Sequence, residues 1–379
     1  MSETNKHILV KVDPPLVTPR EFASTLMRDC KLPSFAYYTL PPNSACWWAT
    51  FSNVESKIRK QYEAETFHSL GVDDFLYASA VRQRVGIVGL AVGEGMGEIE
   101  IIKRVLNDLA PSGGVDYFAM DMSPPLLLVH LNLLRNIFAD EIQAGRLNLA
   151  ILLGNIKDLE APLQKACREF ESRGIAFLPD GMPLLVTCFG NVLGNESEAD
   201  QEVSFIQGVQ QFFADRCLVC MAGVSVIRET ADTYDPAWIE FLMEPLRYLM
   251  EMGLLVSEFP EGQTTEDKDA EFCISQESQE CETPLICVRS NYTGSHDNRS
   301  EVHEFYYSLR HNLKMPAEGL RLKKQSKLLL YAVRKYDIEG LARAIESLGG
   351  EVRRPDRFQV IQTAEEIREY AVIAASRDR

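Results

Sequence analysis

Four glycine-containing or acidic segments in the middle of the chain carry the residue types best suited to binding a polar cofactor. The first segment is a turn with Gly93, Gly95 and Gly97, which follows the apolar run 85–92. Glycines allow the backbone to approach a ligand closely, and the N-terminus of a helix that begins there favours negative charge. The spacing differs from the dinucleotide pattern G-x-G-x-x-G, so a purely structural turn between a strand and a helix stays open as an alternative.

The second segment is YFAMDMS, in which Asp121 and Met122 follow an apolar run. A carboxylate at the end of the second strand can accept hydrogen bonds from both hydroxyl groups of a ribose. Asp121 or Ser123 can also cap a helix that has Pro124 in its first turn. Both roles are compatible because Ser123 is the better cap. The segment therefore predicts a cofactor contact through Asp121 and Met122.

The third and fourth segments are LLGNIKDLE and CFGNVLGN. In the third, Asn155 could reach an adenine amine while Ile156 packs on the ring, and an ordinary Gly-Asn turn is the alternative. In the fourth, Asn195 suits the capture of a polar substrate group, although it could also be a turn residue. The carboxyl ends of parallel strands meet at one edge of a sheet, so all four segments are predicted to line one crevice.

The elements that must position these segments are short apolar runs that alternate with amphipathic stretches between residues 84 and 224. Continuous apolar strands alternating with helices predict an α/β fold, with a parallel sheet that is buried on both faces and doubly wound by right-handed crossovers. The predicted strands lie at 85–92, 115–120, 147–153, 183–189 and 217–224, and the predicted helices at 96–110, 124–143, 159–173 and 200–214.

Outside this region the alternation is absent. For residues 1–80 we expect mainly irregular and helical structure that caps the main domain. Residues 256–286 are strongly acidic, and we expect part of this segment to be a surface loop. The other predicted elements are helices near 54–67, 236–252 and 338–350, and strands near 284–290, 327–334 and 370–376.

Composition restricts the classes of function. The net charge of −16 argues against a nucleic-acid-binding surface, which needs concentrated Lys and Arg. The chain has no apolar run of the roughly 18 residues that a membrane helix needs and no apolar signal core at its start, so a cytoplasmic location is predicted. The 9 cysteines are then expected to be free thiols. No metal site is predicted, and His296, His303 and His311 are expected at the surface.

Together, the glycine turn, YFAMDMS, GNI, FGNVLGN and TYDPAWIEFLMEPL resemble the S-adenosyl-L-methionine (SAM)-dependent methyltransferases of the histidine-specific type. This is the family of the first ergothioneine-pathway enzyme, an L-histidine N-alpha-methyltransferase. The resemblance covers about 84–250 and the segment LLYAVRKYDIEGLARAIESLGG. It implies a class I methyltransferase-type doubly wound, Rossmann-like sheet with a second, smaller α+β domain, SAM as the cofactor and a small amino-acid-like substrate.

The resemblance also implies roles for individual residues. Gly93 and Gly95 would line the amino-acid moiety of SAM, and Asp121 would hold its ribose. The adenine would be framed by residues of the third segment, and Gly190, Gly194 and Asn195 match the family pattern at the fourth. The residues that would hold the substrate are Asn195 and Tyr234 for its amino-acid backbone, and Tyr38 in the covering N-terminal segment.

The chain departs from the family where the substrate's side chain would bind, in residues 331–336. Lys335 and Tyr336 match a Lys-aromatic pair, but Tyr331 and Val333 stand where the histidine enzymes carry Glu and Ser. Polar recognition gives most of the discrimination between substrates, so this pocket should not select histidine. We expect Tyr331 and Val333 to contact a more apolar or aromatic side chain, and Tyr331 or a water to accept the amine proton.

These observations predict SAM-dependent N-methylation of the amine of an amino-acid-like small molecule other than histidine. Three alternatives stay open: an O-methyltransferase or a peptide or natural-product methyltransferase on the same fold, a non-catalytic SAM-binding protein, and an NAD(P)-dependent oxidoreductase. The predicted organisation is an N-terminal part of the substrate domain at 1–80, a SAM-binding domain at 81–230, an inserted substrate domain at 231–336, and a C-terminal segment at 337–379 that completes the large sheet.

Overall fold

The fold is described from a computed structural model of the 379-residue chain. The structure describes residues 6–12, 18–33, 36–40, 70, 72–74, 84–109, 112–189, 201–213, 218–227, 236–258, 285–294, 297–347, 351–353, 359–362 and 367–377. The predicted helix near 54–67 lies outside these residues, and so does the predicted acidic loop after Glu258.

The described residues form strands and helices in an order that follows the predicted alternation through the middle of the chain. The strands are β1 Ile8–Lys11, β2 Arg84–Leu90, β3 Gly114–Asp121, β4 Leu147–Leu153, β5 Leu184–Cys188, β6 Leu218–Ser225, β7 Val256–Glu258, β8 Leu285–Thr293, β9 Arg299–Ser308, β10 Asn312–Met315, β11 Leu320–Leu322, β12 Lys327–Tyr336, β13 Glu351–Arg353, β14 Gln359–Gln362 and β15 Ile367–Arg377. The helices are α1 Pro19–Asp29, α2 Ala36–Thr39, α3 Met96–Arg104 with a π-helical turn Val105–Leu109, α4 Pro124–Ile137, α5 Ala139–Gln143, α6 Glu160–Glu171, α7 Gln201–Phe212, α8 Pro236–Glu251 and α9 Ile338–Glu346.

One large sheet organises the main domain, in the order β1-β4-β3-β2-β5-β6-β15-β13, with β14 paired to β15. The neighbouring pairs from β1 to β6 are parallel, whereas β15 runs antiparallel to both β6 and β13. The chain order reverses between β2 and β5, which creates a topological switch point at the carboxyl ends of these strands. The predicted α/β fold with a doubly wound sheet is confirmed.

The central strands form because their side chains are apolar on both faces. All eight residues of β3 are buried. Val88 and Phe118 belong to the hydrophobic cluster on one face of the sheet, and their neighbours Ile87 and Tyr117 belong to the cluster on the other. Helices covering both faces remove the strands from water, which stabilises a parallel sheet.

Local capping defines where the helices begin at the carboxyl edge of this sheet. Ser123 caps α4, with its hydroxyl oxygen accepting from the backbone N–H of Leu126, and Pro124 and Pro125 occupy the first turn. Asp337 caps α9 in the same way by accepting from the N–H of Glu339. The sequence placed the end of this last helix at the glycine pair near 350, but α9 ends at Glu346.

A smaller domain consists of two three-stranded antiparallel sheets, β8-β9-β12 and β7-β10-β11, packed with α1, α2 and α8. Its core is a separate cluster that includes Phe22, Tyr37, Phe241 and Tyr331. Strand β1 differs from the expectation for residues 1–80, because it pairs in parallel with β4 and so extends the large sheet. A short apolar run such as Ile8–Lys11 can add a strand to the edge of a sheet as readily as it can pack in a segment that covers the main domain.

The smaller domain meets the large sheet at the carboxyl end of β6. Val226 forms a bridge with Tyr336, and the N–H of Ile227 donates to the carbonyl of Tyr336 at 3.0 Å. The carboxyl end of β6 in the large sheet therefore lies beside the end of β12. Within the ranges given above, no helix has the length and apolar character needed to cross a membrane.

Candidate functional site

The turn after β2 adopts a left-handed backbone at three alternate residues. Ala91, Gly93 and Gly95 have φ angles of 52°, 55° and 65°. Gly95 is the N-cap of α3 and supplies no side-chain cap. The amides in the first turn of such a helix favour an anionic group, because the helix dipole places partial positive charge there. The turn thus offers backbone donors to a ligand at the switch point.

Asp121 connects this turn to the end of the neighbouring strand. Its Oδ2 accepts from the N–H of Gly93 at 2.8 Å, and its Oδ1 accepts from the N–H of Ser123 at 2.8 Å. The side chain is buried, and this burial raises the pKa of the carboxyl, while backbone hydrogen bonds from Gly93, Ser123 and Met122 act in the opposite direction. A carboxylate has about four acceptor positions, so the three backbone donors leave about one for a ligand hydroxyl group.

A buried histidine lies directly beneath the turn. Nδ1 of His130 is 2.9 Å from the carbonyl oxygen of Glu94, and Nε2 is 2.9 Å from the hydroxyl of Tyr117. A β-carbon added to Gly95 would lie 2.0 Å from Cε1 of this imidazole, so only glycine fits there. Burial lowers the pKa of His130 to about 4, which keeps the ring neutral at physiological pH.

The end of β4 lies next to Asp121. The N–H of Gly154 donates to the backbone carbonyl of Asp121 at 2.9 Å, and Asn155 caps the short 3₁₀ turn Ile156–Asp158. The Oδ1 of Asn155 accepts from the N–H of Lys157 at 3.0 Å, which leaves a second lone pair and the amide N–H₂ for a ligand. Ile156 is partly buried and packs against the cluster on one face of the sheet.

A second buried carboxyl group lies beside the end of β5. Oε1 of Glu98, in the first turn of α3, accepts from the hydroxyl of Thr187 at 2.9 Å, and both side chains are buried. This contact ties α3 to β5 across the switch point. The residues that follow β5 in the predicted site, Gly190, Gly194 and Asn195, lie outside the described residues, and Tyr234 does as well.

The predicted substrate residues of the smaller domain lie around one aromatic cluster. The ring of Tyr331 meets that of Tyr37 edge-on at a centroid distance of 5.4 Å and lies 6.5 Å from that of Phe305. Tyr331 is buried, whereas Tyr38 and Val333 are partly buried at the margin of the same cluster. The structure therefore groups the described site residues in two places, the predicted cofactor residues at the sheet edge and the predicted substrate residues in the smaller domain.

Three buried polar residues in or near these places were not assigned roles from the sequence. Glu98 and His130 lie under the turn, and His303 is fully buried on β9 with Nε2 against the carboxylate of Glu301. The surface placement expected for His303 is wrong. The signal was the alternation of His303 with Phe305 and Tyr307, which indicates one buried face of a strand.

The strand order defines the class of fold. When β1 and β14 are left out, the order across the large sheet is β4-β3-β2-β5-β6-β15-β13. The first five of these strands are parallel, and β15 runs antiparallel to both of its neighbours. The reversed strand separates this sheet from an all-parallel dinucleotide-binding sheet. The predicted doubly wound, Rossmann-like fold with a second, smaller domain is confirmed.

Comparison with known proteins gives no family model that matches the chain and no match among curated proteins. Solved structures overlap with it at low identity and low TM-score. Magnesium protoporphyrin IX methyltransferase from Synechocystis with bound SAM is 9% identical over 97% of this chain and 100% of that chain, with a TM-score of 0.38. The plantazolicin methyltransferase BpumL is 12% identical over 95% and 99%, with a TM-score of 0.32. An amino pentose methyltransferase from Micromonospora echinaspora is 12% identical over 86% and 96%, with a TM-score of 0.33. At scores this low the overlaps do not establish the class of this chain.

Proposed function

We propose that the protein is a SAM-dependent methyltransferase that N-methylates the amine of an amino-acid-like small molecule other than histidine. The observation that carries this proposal is the buried Asp121, joined to the N–H of Gly93 at the switch point of a class I sheet. A carboxylate in this place can hold a ribose while the adjoining turn holds the rest of a nucleoside ligand.

The described residues fit SAM at three points. The turn at Gly93 and Gly95 leaves the backbone open to the methionine end, and the first turn of α3 favours its carboxylate. The remaining acceptor capacity of Asp121 suits a ribose hydroxyl, and Asn155 with Ile156 suits the adenine. When bound, SAM supplies a methyl group on a sulfonium centre, which is an electrophile.

The chain's own residues would orient the amine and exclude water. In-line displacement mainly requires that the unprotonated amine be held about 3 Å from the methyl carbon. We assign Asn195 and Tyr234 to the amino-acid backbone of the substrate, and Tyr38, Tyr331 and Val333 to its side chain. A water held beside the Tyr331 hydroxyl would accept the amine proton. The apolar surroundings of Tyr331 support a substrate side chain of apolar or aromatic character.

A nicotinamide-dependent oxidoreductase is disfavoured by two features. The reversed β15 interrupts the parallel sheet, and the turn does not have the G-x-G-x-x-G spacing. The proposed methyl transfer is tested with methyl-labelled SAM and a panel of amino acids, amines and small peptides. Transfer of label to an amine nitrogen supports the proposal, and label on oxygen would redirect it to O-methylation. Binding of S-adenosylhomocysteine (SAH) without transfer to any member of the panel would indicate a non-catalytic SAM-binding protein.

The role of Asn195 is tested separately. If Asn195 holds the substrate, Asn195→Ala weakens substrate binding and leaves the affinity for SAH within a few fold. An equal loss of both affinities would contradict this assignment, because it would place the side chain on the cofactor.

A further inference from the structure

A chain of hydrogen bonds runs through the protein beneath the glycine turn and links β3, α4 and the turn itself. It consists of the Tyr117 hydroxyl, the His130 imidazole and the Glu94 carbonyl, with 2.9 Å at both contacts. A carbonyl oxygen only accepts, so Nδ1 of His130 carries the proton. Nε2 therefore holds a lone pair and accepts a hydrogen bond from the Tyr117 hydroxyl. The direction of each bond is thus fixed while the imidazole is neutral.

The two rings also support the turn by direct packing. Tyr117 and His130 meet edge-on, with ring centroids 5.6 Å apart. A β-carbon at Gly89 would lie 2.9 Å from the Tyr117 hydroxyl, and a β-carbon at Gly95 would lie 2.0 Å from the His130 ring. Glycine at these positions lets the backbone rest on the rings. The position of the turn is therefore set from below by one buried imidazole.

We infer that His130 is a positioning residue for the cofactor turn, and that it fixes the backbone at residues 93–97 in its ligand-binding form by holding the carbonyl of Glu94. The inference rests on the proposed function, because the ligand of this turn is taken to be SAM or SAH. We do not assign His130 a direct contact with the ligand, because both of its ring nitrogens contact Glu94 and Tyr117. Its effect on affinity passes through the backbone of the turn, which offers amides to the ligand.

Protonation of the imidazole would change its contact with Tyr117 and leave its contact with Glu94 in place. A protonated ring donates at both nitrogens, so the Tyr117 hydroxyl would have to accept from Nε2 instead of donating to it. Two carboxyl groups belong to the same buried region, Glu98 on α3 and Asp121 on β3, and the charges of both act on Tyr117. Protonation of Asp121 should weaken cofactor binding as the pH decreases, because a protonated carboxyl group offers fewer acceptor positions.

The decisive experiment compares three variants by calorimetric titration with SAH and by thermal unfolding. His130→Leu removes both hydrogen bonds, His130→Asn keeps an N–H close to the Nδ1 position, and Leu134→Ala is a control at a fully buried position of the same helix. We expect His130→Leu to weaken SAH binding by about tenfold or more, which corresponds to about 1.4 kcal/mol. His130→Asn should recover most of this loss. Leu134→Ala should bind SAH within about twofold of the unchanged protein, even where it lowers the unfolding temperature as much as His130→Leu does.

Two outcomes would overturn the inference. One is folded His130→Leu protein with unchanged SAH affinity, and the other is a loss of affinity in Leu134→Ala that equals the loss in His130→Leu. If His130→Leu does not fold, Tyr117→Phe removes the hydroxyl donor and leaves the imidazole in place, and it should weaken SAH binding measurably; unchanged affinity would again contradict the role.

Failure of the proposed function is distinguishable from failure of the inference. Unchanged protein that binds no SAH would refute the proposed cofactor. Hydrogen exchange at the amides of residues 93–97 then still reports on the turn: faster exchange in His130→Leu than in Leu134→Ala supports the positioning role, and equal exchange refutes it.

Discussion

The backbone N–H of Gly93 donates a 2.8 Å hydrogen bond to Oδ2 of Asp121, and this contact joins the turn after β2 to the end of β3. The carboxylate is buried at the edge where the sheet reverses its strand order. It fixes the turn through the backbone. We propose that its remaining acceptor capacity binds a ligand that lies over the switch point.

The first prediction contrasts two aspartates at opposite ends of β3. Asp121→Ala should abolish SAH binding, and it should cost about 1–3 kcal/mol of stability because it leaves buried N–H groups unpaired. Asp116 lies at the other end, fully buried, and accepts from Arg84, Asn148 and the N–H of Leu178. Asp116→Ala should cost about 3–5 kcal/mol, because Arg84 loses its buried partner.

Calorimetry with SAH and urea unfolding of both variants check this contrast. At a temperature where Asp116→Ala stays folded, its SAH affinity should be close to that of the unchanged protein. Wild-type affinity in Asp121→Ala would contradict the ribose-holding role.

The second prediction compares two glycines that both adopt the left-handed backbone conformation. Gly93 and Gly174 have φ angles of 55° and 74°, and an added β-carbon would meet no atom within 4 Å at either position. Alanine should therefore cost about 1–2 kcal/mol at each, from the left-handed conformation alone. Only Gly93→Ala should also weaken SAH binding, because only this β-carbon would project into the ligand's space. Equal SAH affinity in the two variants would show that the ligand does not approach Gly93.

The third prediction concerns the coupling between Gly95 and His130. Gly95→Ala should destabilise the protein more than Gly93→Ala does, because its β-carbon would collide with the imidazole. The double variant Gly95→Ala, His130→Ala removes that collision and should recover part of the loss. A double-mutant cycle from urea unfolding measures the coupling free energy. A coupling near zero would mean that the ring moves aside without cost.

The fourth prediction is a pH dependence of stability that originates at His130. Its pKa is about 4 in the folded protein, below the ordinary value of 6.5, because burial disfavours the charged ring. The unfolded chain therefore binds a proton that the folded protein does not bind, as pH falls from about 6.5 toward 4. The stabilisation that His130 contributes is fully present above pH 6.5. It decreases by on the order of 3 kcal/mol as the pH falls from 6.5 to 4.

Asp121 acts with the opposite sign, because burial raises the pKa of its carboxyl and protonation then favours the folded state. Urea unfolding between pH 7 and pH 4.5 in the unchanged protein and in His130→Asn isolates the histidine contribution, since both proteins retain Asp121. The variant should show a flatter stability curve. Parallel curves would contradict the assignment of a neutral, buried His130.

Much of the large sheet could be predicted from the sequence. The runs that became β2 to β6 are continuously apolar because both faces of these strands are covered, and this pattern differs from that of the helices between them. Asp121 and Asn155 could be placed at one edge, because the carboxyl ends of parallel strands lie at the same edge of a sheet. Strand β1 could not be placed, because a run of four residues carries no information on which sheet edge it joins.

The buried polar residues of the site were harder to predict. His130 lies on the same face of α4 as Leu127, Leu131 and Leu134, which indicates burial, but no pattern indicates the Glu94 carbonyl as its partner. That partner depends on how the turn folds over α4. The pairing of Glu98 with Thr187 likewise depends on packing between elements far apart in sequence.

A calorimetric titration of the purified protein, shown to be free of bound nucleoside, with SAH and in parallel with NADH identifies the cofactor of the turn. We predict micromolar binding of SAH and no binding of NADH, because the turn lacks the G-x-G-x-x-G spacing and β15 interrupts the parallel sheet. Binding of NADH without binding of SAH would contradict it. The turn at residues 93–97 would then serve a different cofactor, and the proposed methyl transfer would be refuted.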